Sequence, residues 1–339
     1  MKAYVGIDLH SSNSYIGIIN QDREKLFGKR FINNPDDILN ALTSFKKDIV
    51  GIVVESTYNW YWLVDTLEEN GYKVHLANPA AMVQYEGVKH TDDAWDSFWL
   101  ADMLRLNLLK EGYIYPRETR GLRDLLRRRL LFVRQRTAQI LSLQSTITRH
   151  LGIKFTVRQI KKLKPEDAQE LFNCYEVALI AKNNIKAITY LSQIIKDIEN
   201  EVLSKVKLTQ EFQKLTTIPG IGEILGVTIM LEVGDINRFK KPGNYSSYCR
   251  AVSSQRISNG KKKGENNRKN GNKYLSWAYT EAANFSIKFL PQAQKFYHKK
   301  KAEKNNIVAI KALSNKIVRA SYYIMRDKVD FNPDILFGN

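Results

Sequence analysis

Cysteine is almost missing from this chain: Cys174 and Cys249 are the only two among 339 residues. Two thiols cannot build a disulfide framework, and no Cys/His cluster has the spacing of a zinc site. Long apolar runs are absent as well. None reaches the roughly 20 residues needed to cross a bilayer, so no membrane-spanning helix is expected. The chain opens directly into Lys2-Ala3-Tyr4-Val5-Gly6-Ile7, without the basic region, apolar core and cleavage site of a secretory signal, and a cytoplasmic location is expected. No internal repeat is visible.

What the chain has in abundance is positive charge, unevenly placed. The net charge is +18. Residues 1–115 hold 11 Lys/Arg against 16 Asp/Glu, and the remainder holds 42 against 19. A basic surface of that size favours a polyanion, because neutralising phosphates releases condensed counterions. An acidic part joined to a basic part fits that partner better than a merely soluble basic protein does.

The acidic part reads as alternating strands and helices. Ala3–Leu9, Ser14–Ile19 and Lys25–Ile32 are apolar strands joined by the polar turns His10–Asn13 and Asn20–Arg23, which suggests an antiparallel meander. Pro35 opens a helix running to about Lys46. Val50–Val54 is a buried-type strand ending at Glu55. A helix from about Asn59 to Asn70 stops at Gly71. Tyr72–Leu76 is a further strand, and Asp92–Leu109 a further helix. The order βββαβαβα is that of a ribonuclease-H-like fold, an α/β domain with a central mixed sheet flanked by helices.

Asp8 ends the first strand and Glu55 the fourth. If those strands are neighbours, both carboxylates emerge side by side at one sheet edge. Asp92, Asp93 and Asp96 begin the later helix, where residues three or four apart share a face, so either Asp93 or Asp92 can point with Asp96. Taken singly, each acid reads as a strand-end or first-turn surface carboxylate stabilised by the helix dipole. Taken together, they would repel one another unless divalent cations neutralised them. Two Mg²⁺ ions do this, and in phosphoryl transfer they also activate the nucleophile and stabilise the leaving oxygen.

Beyond Arg117 the pattern changes. A long helix to about Leu151 carries an apolar stripe crowded by Arg120, Arg123, Arg127, Arg128, Arg129, Arg134 and Arg136. A second, about Tyr175–Lys207, keeps near-heptad spacing, and the two are expected to pair as an antiparallel coiled coil. From about Phe212 the chain reads as mainly α. Ile218-Pro219-Gly220-Ile221-Gly222 before an apolar helix suggests a helix-hairpin-helix, whose glycine turn frees backbone N–H groups for a phosphate. Ser258 through Lys273 reads as a flexible basic loop, with Lys261, Lys262, Lys263, Arg268, Lys269 and Lys273 placed to follow a nucleic-acid backbone. The residues alone make Ser258 a solvated or phosphate-contacting serine, because a hydroxyl needs a base, a metal or strong charge stabilisation to become a nucleophile.

Gly6-Ile7-Asp8, Val54-Glu55, Thr91-Asp92-Asp93-Ala94-Trp95-Asp96-Ser97 with Trp99-Leu100-Ala101, and Gly112-Tyr113-Ile114-Tyr115-Pro116 resemble the DEDD transposases of bacterial insertion sequences. Pro219-Gly220-Ile221-Gly222 and Ser258-Asn259-Gly260-Lys261 through Lys269-Asn270-Gly271-Asn272 resemble the second domain of the same family. The resemblance implies a RuvC-like domain over 1–115, a coiled-coil region over 116–210 and a serine-bearing transposase domain over 211–330. It implies metal-binding catalytic acids at Asp8, Glu55, Asp93 and Asp96, with Asp92 as an alternative, and a nucleophile at Ser258 that forms a covalent phosphoserine link, with Ser253 and Ser254 as alternatives. The family commonly carries alanine where this chain has Ser97. The resemblance further implies donor and target DNA and a structured bridge RNA as partners, and dimers or tetramers with composite active sites in a nucleoid-associated protein. Arg123, Arg127, Arg128, Gly220 and Gly222 join the basic-loop residues as candidate nucleic-acid contacts. The rival readings are a junction-resolving endonuclease that uses the acids alone, a non-catalytic nucleic-acid-binding protein, and a sugar-kinase or actin-like ATPase. That last class needs later glycine-rich phosphate loops, which the chain lacks.

Overall fold

The computed structural model describes residues 1–78, 81–82, 92–206, 209–252, 256–265 and 270–338. It divides into two compact units, one built on residues 1–117 and the other on residues 118–264 and 271–339.

The first unit contains β1 (Ala3–Leu9), β2 (Asn13–Asn20), β3 (Lys25–Ile32), α1 (Pro35–Thr43), β4 (Ile49–Glu55), α2 (Trp60–Glu69), β5 (Val74–Ala77) and α3 (Asp93–Arg105). The strands form one mixed sheet in the order β3-β2-β1-β4-β5. β1 pairs antiparallel with β2 and parallel with β4. This α/β architecture is compatible with the expected ribonuclease-H-like fold. The expected helix to Leu109 stops at Arg105, and the first helix stops at Thr43 rather than Lys46.

Both faces of β1 are covered, which explains its unbroken apolar run. Val5, Ile7 and Leu9 pack with Ile38 and Leu42 of α1 and Leu63, Val64 and Leu67 of α2. Side chains alternate across a strand, so Tyr4, Gly6 and Asp8 face the opposite way. There α3 lies on a glycine track: Gly6 pairs with Gly17, and Gly17 with Gly28, across three strands. A Cβ built on Gly6 would stand 1.9 Å from the carbonyl oxygen of Ser97, and one on Gly17 would stand 2.7 Å from Ser97 Oγ. The track lets the helix backbone approach the sheet far closer than ordinary side chains allow. Ser97, fully buried with its Oγ donating to the Ala94 carbonyl at 2.8 Å, is small enough to fit.

The second unit opens with α4 (Arg117–Leu151), whose first residue falls in the first unit. It continues with the short helices α5 (Val157–Ile160) and α6 (Asp167–Leu171), then α7 (Tyr175–Val206). Helices α4 and α7 run antiparallel. Arg129 pairs with Glu199, Arg136 donates to Ser192, and the Asn184 amide oxygen accepts from Ser142 Oγ at 3.0 Å. Leu126 packs with Ile198 and Val202 at one end, and Ile140, Leu143 and Ile147 pack with Ala181 and Ile185 at the other. Next come α8 (Gln210–Leu215), α9 (Glu223–Val233), a 3-10 turn at Ile236–Arg238 and α10 (Pro242–Tyr248). They are followed by β6 (Arg256–Ser258), β7 (Lys261–Gly264), α11 (Lys273–Phe289), α12 (Pro291–Glu303), α13 (Asn306–Asp327) and α14 (Pro333–Phe337). Leu225 and Ile229 of α9, Tyr279 and Ala282 of α11, and Leu313, Ile317 and Tyr322 of α13 share one core. Among the described residues no helix is long and apolar enough to cross a membrane.

Candidate metal centre

The parallel pairing of Ile7 with Val54 brings the next residue of each strand, Asp8 and Glu55, to the same sheet edge. Both lie on the face that α3 covers. Asp93 and Asp96 sit in the first turn of that helix, where the glycine track holds it against β1. The Asp92 side chain caps the helix instead, its Oδ1 accepting from the Trp95 amide at 2.7 Å. That oxygen is therefore engaged, whereas Asp93 and Asp96 turn toward the strand ends.

His10, which sequence reasoning missed, completes the cluster. Its Nε2 lies 3.2 Å from Asp8 Oδ2 and 3.2 Å from Asp93 Oδ1. Among the described residues, Asp8, His10 and Asp93 form a group able to hold a metal ion. The backbone fixes the ring's position, since the His10 carbonyl accepts from Asn33 Nδ2 and Asn59 Nδ2, each at 2.9 Å. The available signal was its place two residues beyond Asp8, where the chain leaves the strand. Arg30 on β3 also reaches Asp93, Nη2 to Oδ2 at 2.6 Å.

The electrostatics are those of crowded carboxylates. Burial pushes the Glu55 carboxyl up to about 7, helped by its hydrogen bond to Asp8 and by the charges of Asp8 and Asp96. Burial, then the charges of Asp8, Asp93 and Asp92, push Asp96 up to about 6. Asp8 is raised by burial and by Asp93, against the lowering influence of Glu55 and His10. Burial alone would lower His10, but the Asp8, Asp93 and Glu55 charges raise it.

Asp8 is 2% exposed, and its Oδ2 makes no hydrogen bond, although His10 Nε2 stands 3.2 Å away as an ion-pair partner. Asp96 Oδ1 is likewise buried without a hydrogen bond. Buried carboxylate oxygens left unsatisfied are costly. Hard oxygen donors converging from two strand ends and one helix turn are the donor set that Mg²⁺ takes, and the imidazole adds a nitrogen suited to transition metals. The residues fit a divalent cation.

A pH dependence follows. Carboxyls held above their ordinary values in the folded chain stabilise it while protonated, and that stability is lost as pH rises through about 6 for Asp96 and about 7 for Glu55. His10, also raised, acts in the same direction. In EDTA the melting temperature is expected to fall by about 5 °C between pH 5 and pH 8. A divalent cation displaces the protons and should remove most of that fall. Differential scanning fluorimetry with and without Mg²⁺ or Mn²⁺ checks this, and a pH-independent melt that ignores metal would refute it.

The second unit places the remaining candidates. Ser258 is exposed and ends β6. It pairs with Lys261 across Asn259 and Gly260, whose φ values of 50° and 70° are the positive pair that a two-residue type I′ hairpin turn demands. The expected flexible loop is thus a hairpin over residues 256–264, and the Asn-Gly pair was its signal. Lys261 and Lys263 are exposed on β7, Lys262 pairs through its backbone with Ile257, and Lys273 opens α11 exposed. Ser253, Ser254, Arg268 and Lys269 lie outside the described residues.

Gly220 has φ +105°, and a Cβ there would meet the Ala282 carbonyl at 2.5 Å, so only glycine fits against α11. Gly222 is exposed at the N-cap of α9, with open space around it. Arg128 is exposed, but Arg123 and Arg127 turn to the buried Glu232. Arg123 Nε lies 3.0 Å from Glu232 Oε2 and Arg127 Nε 2.6 Å from Oε1. Arg123 is 7% exposed and stands inside the unit rather than on a nucleic-acid surface.

Comparison with known proteins gives this arrangement a family. Residues 5–151 match the DEDD transposase model of the IS110 type, and residues 212–298 match that of the transposase IS116/IS110/IS902 family. Together the matches span roughly two-thirds of the chain. The uncharacterized 44.8 kDa protein of insertion element IS116 from Streptomyces clavuligerus is 26% identical over 145 residues, which is 42% of this chain and 36% of that relative. The alignment therefore spans little more than a third of the relative's length. With the two family matches in chain order on its two halves, the chain belongs to the DEDD family of insertion-sequence transposases, the group of IS110, IS116 and IS902.

Proposed function

We propose that the chain is a metal-dependent DNA recombinase that cuts and rejoins the ends of its own insertion element. One observation carries this reading: the buried Asp8 Oδ2, which makes no hydrogen bond, sits among Glu55, Asp93, Asp96 and His10. A divalent cation, Mg²⁺ in the family, would be held by Asp8, Glu55, Asp93 and Asp96, and a pair of such ions would supply charge stabilisation at the phosphate. The acids orient the scissile phosphate, and the hairpin offers the Ser258 hydroxyl on a fixed turn. The Ser258 Oγ–P bond forms as the P–O bond to one deoxyribose oxygen breaks. The serine proton leaves to solvent, the released sugar oxygen takes up a proton, and the strand stays linked as a phosphoserine until a second sugar hydroxyl displaces the serine.

In this reading 1–115 is the RuvC-like domain, 116–210 a coiled coil formed by α4 and α7, and 211–330 the transposase domain with a helix-hairpin-helix around Gly220 and Gly222. Arg128, Lys261, Lys263 and Lys273 are exposed cations suited to phosphates, and Lys262, Arg268 and Lys269 belong to the same basic run. A structured bridge RNA pairs with donor and target DNA, and dimers or tetramers combine the serine of one protomer with the acids of another.

The test is covalent trapping with labelled donor and target DNA, the element's flanking RNA and Mg²⁺. The wild-type protein is expected to yield an SDS-stable protein–DNA adduct that Ser258→Ala does not form. Full cutting by Ser258→Ala would instead make the protein an acid-only, junction-resolving endonuclease.

A further inference from the structure

The α3 helix that carries Asp93 and Asp96 has a second feature that the metal centre does not use. Trp95, Phe98 and Trp99 lie half-buried on it, and with Ile19, Arg23 and Lys25 they line a cavity of about 170 Å³. The Trp95 and Trp99 rings are near-parallel, 15° apart in plane with centroids 5.9 Å apart. Lys25 Nζ stands 4.4 Å above the Phe98 ring. Arg23, its backbone at φ +68°, keeps a side chain 71% exposed while its Nε reaches Asp102 at 3.2 Å. Arg30, on the same strand as Lys25, pairs with Asp93.

These cations lie in a part of the chain where acids outnumber bases, 16 to 11 over residues 1–115. Their gathering along one flank of α3, among three large aromatic rings, is therefore local. A pocket of aromatic faces rimmed by Arg and Lys fits an unpaired base with its phosphate, since bases stack on such rings whatever their sequence. Its volume suits one ring system and excludes a duplex.

We propose that this flank of α3 receives an unpaired base of a DNA strand. The base stacks at Trp95, Phe98 and Trp99, and the phosphates follow Lys25 and Arg23. Arg30 at Asp93 continues that line to the acids, so the site would hold the strand on which they act. The choice of DNA rests on the function proposed above; the geometry of the pocket does not.

Full-length protein in EDTA, where no cutting occurs, tests the site separately from the chemistry. A single-stranded DNA oligonucleotide carrying 5-iododeoxyuridine should photocrosslink to the peptide holding Trp95, Phe98 and Trp99. Trp95→Ala should remove that crosslink and weaken single-strand binding by about tenfold, Trp95→Phe should retain both, and duplex binding should not change. Lys25→Gln, a surface change that leaves the rings in place, should reduce the slope of log affinity against log salt by about 0.7. Crosslinks confined to the second unit, with wild-type affinity in both Trp95→Ala and Lys25→Gln, would overturn the proposal. Dependence on Trp95 for an RNA oligonucleotide alone would overturn the assignment to DNA. Failure of the Ser258 adduct would leave this result unchanged, so the two readings fail separately.

Discussion

Asp8→Asn is expected to lower metal-dependent DNA cutting by on the order of 10³-fold or more, while raising the melting temperature of the metal-free protein. The two effects have one cause. Asp8 is buried, its Oδ2 lacks a hydrogen bond, and the charges of Asp93 and Asp96 press upon it. Without metal, an amide of the same shape relieves that repulsion and offers a donor to the neighbouring carboxyls. With metal, it withdraws a charged ligand from the centre of the site. Melting in EDTA, calorimetric titration with Mn²⁺ and a cutting assay together check the prediction. An Asn variant that melts below wild type in EDTA, or still cuts, would show that Asp8 is an ordinary structural carboxylate.

A single methyl group should be nearly as damaging. Gly6→Ala places a Cβ 1.9 Å from the Ser97 carbonyl oxygen and 2.8 Å from the Ala101 amide nitrogen, both backbone atoms of α3. No side chain can rotate away, so the helix must retreat. Overpacking of this kind costs about 3 kcal/mol or more when backbone has to move. The same retreat carries Asp93 and Asp96 away from Asp8, so metal affinity should fall together with stability. Gly121→Ala, where an added Cβ meets nothing within 4 Å, is the control: it should leave metal affinity unchanged and raise stability by up to about 1 kcal/mol, since alanine favours a helix interior. Urea unfolding and metal titration measure the pair, and wild-type behaviour of Gly6→Ala would refute the close-docking account.

The strands of the first unit could be read in the sequence because β1, β2 and β4 are short apolar runs bounded by polar turns; Asp8 and Glu55 could be read because they stand at the ends of two such runs, and Asp93 and Asp96 because they open a helix. The glycine track could not. Gly6, Gly17 and Gly28 become one feature only when the strand register sets them side by side. His10 was hidden for the same reason, since its contact with Asp93 bridges 83 positions that only the sheet and α3 bring together. The hairpin at Ser258 carried its Asn-Gly signal, but the lysine and glycine content around it suggested a loop. Arg123 misled in the opposite sense: an arginine-dense helix looks like a phosphate surface until a buried acid 109 residues away claims one of its cations.

That acid has a mechanical consequence. Glu232 takes Arg123 and Arg127 from α4 and also accepts from Asn272 Nδ2 at 2.7 Å. Asn272 is the residue whose side chain caps α11, accepting from the Tyr274 and Leu275 amides. Removing one partner from a buried charged group costs about 3–5 kcal/mol, so this junction contributes strongly to the stability of the unit. It works as a rivet between the long arm formed by α4 and α7 and the point where the chain leaves its serine-bearing stretch. One buried carboxylate thus fastens α4, α9 and the first turn of α11 to one another.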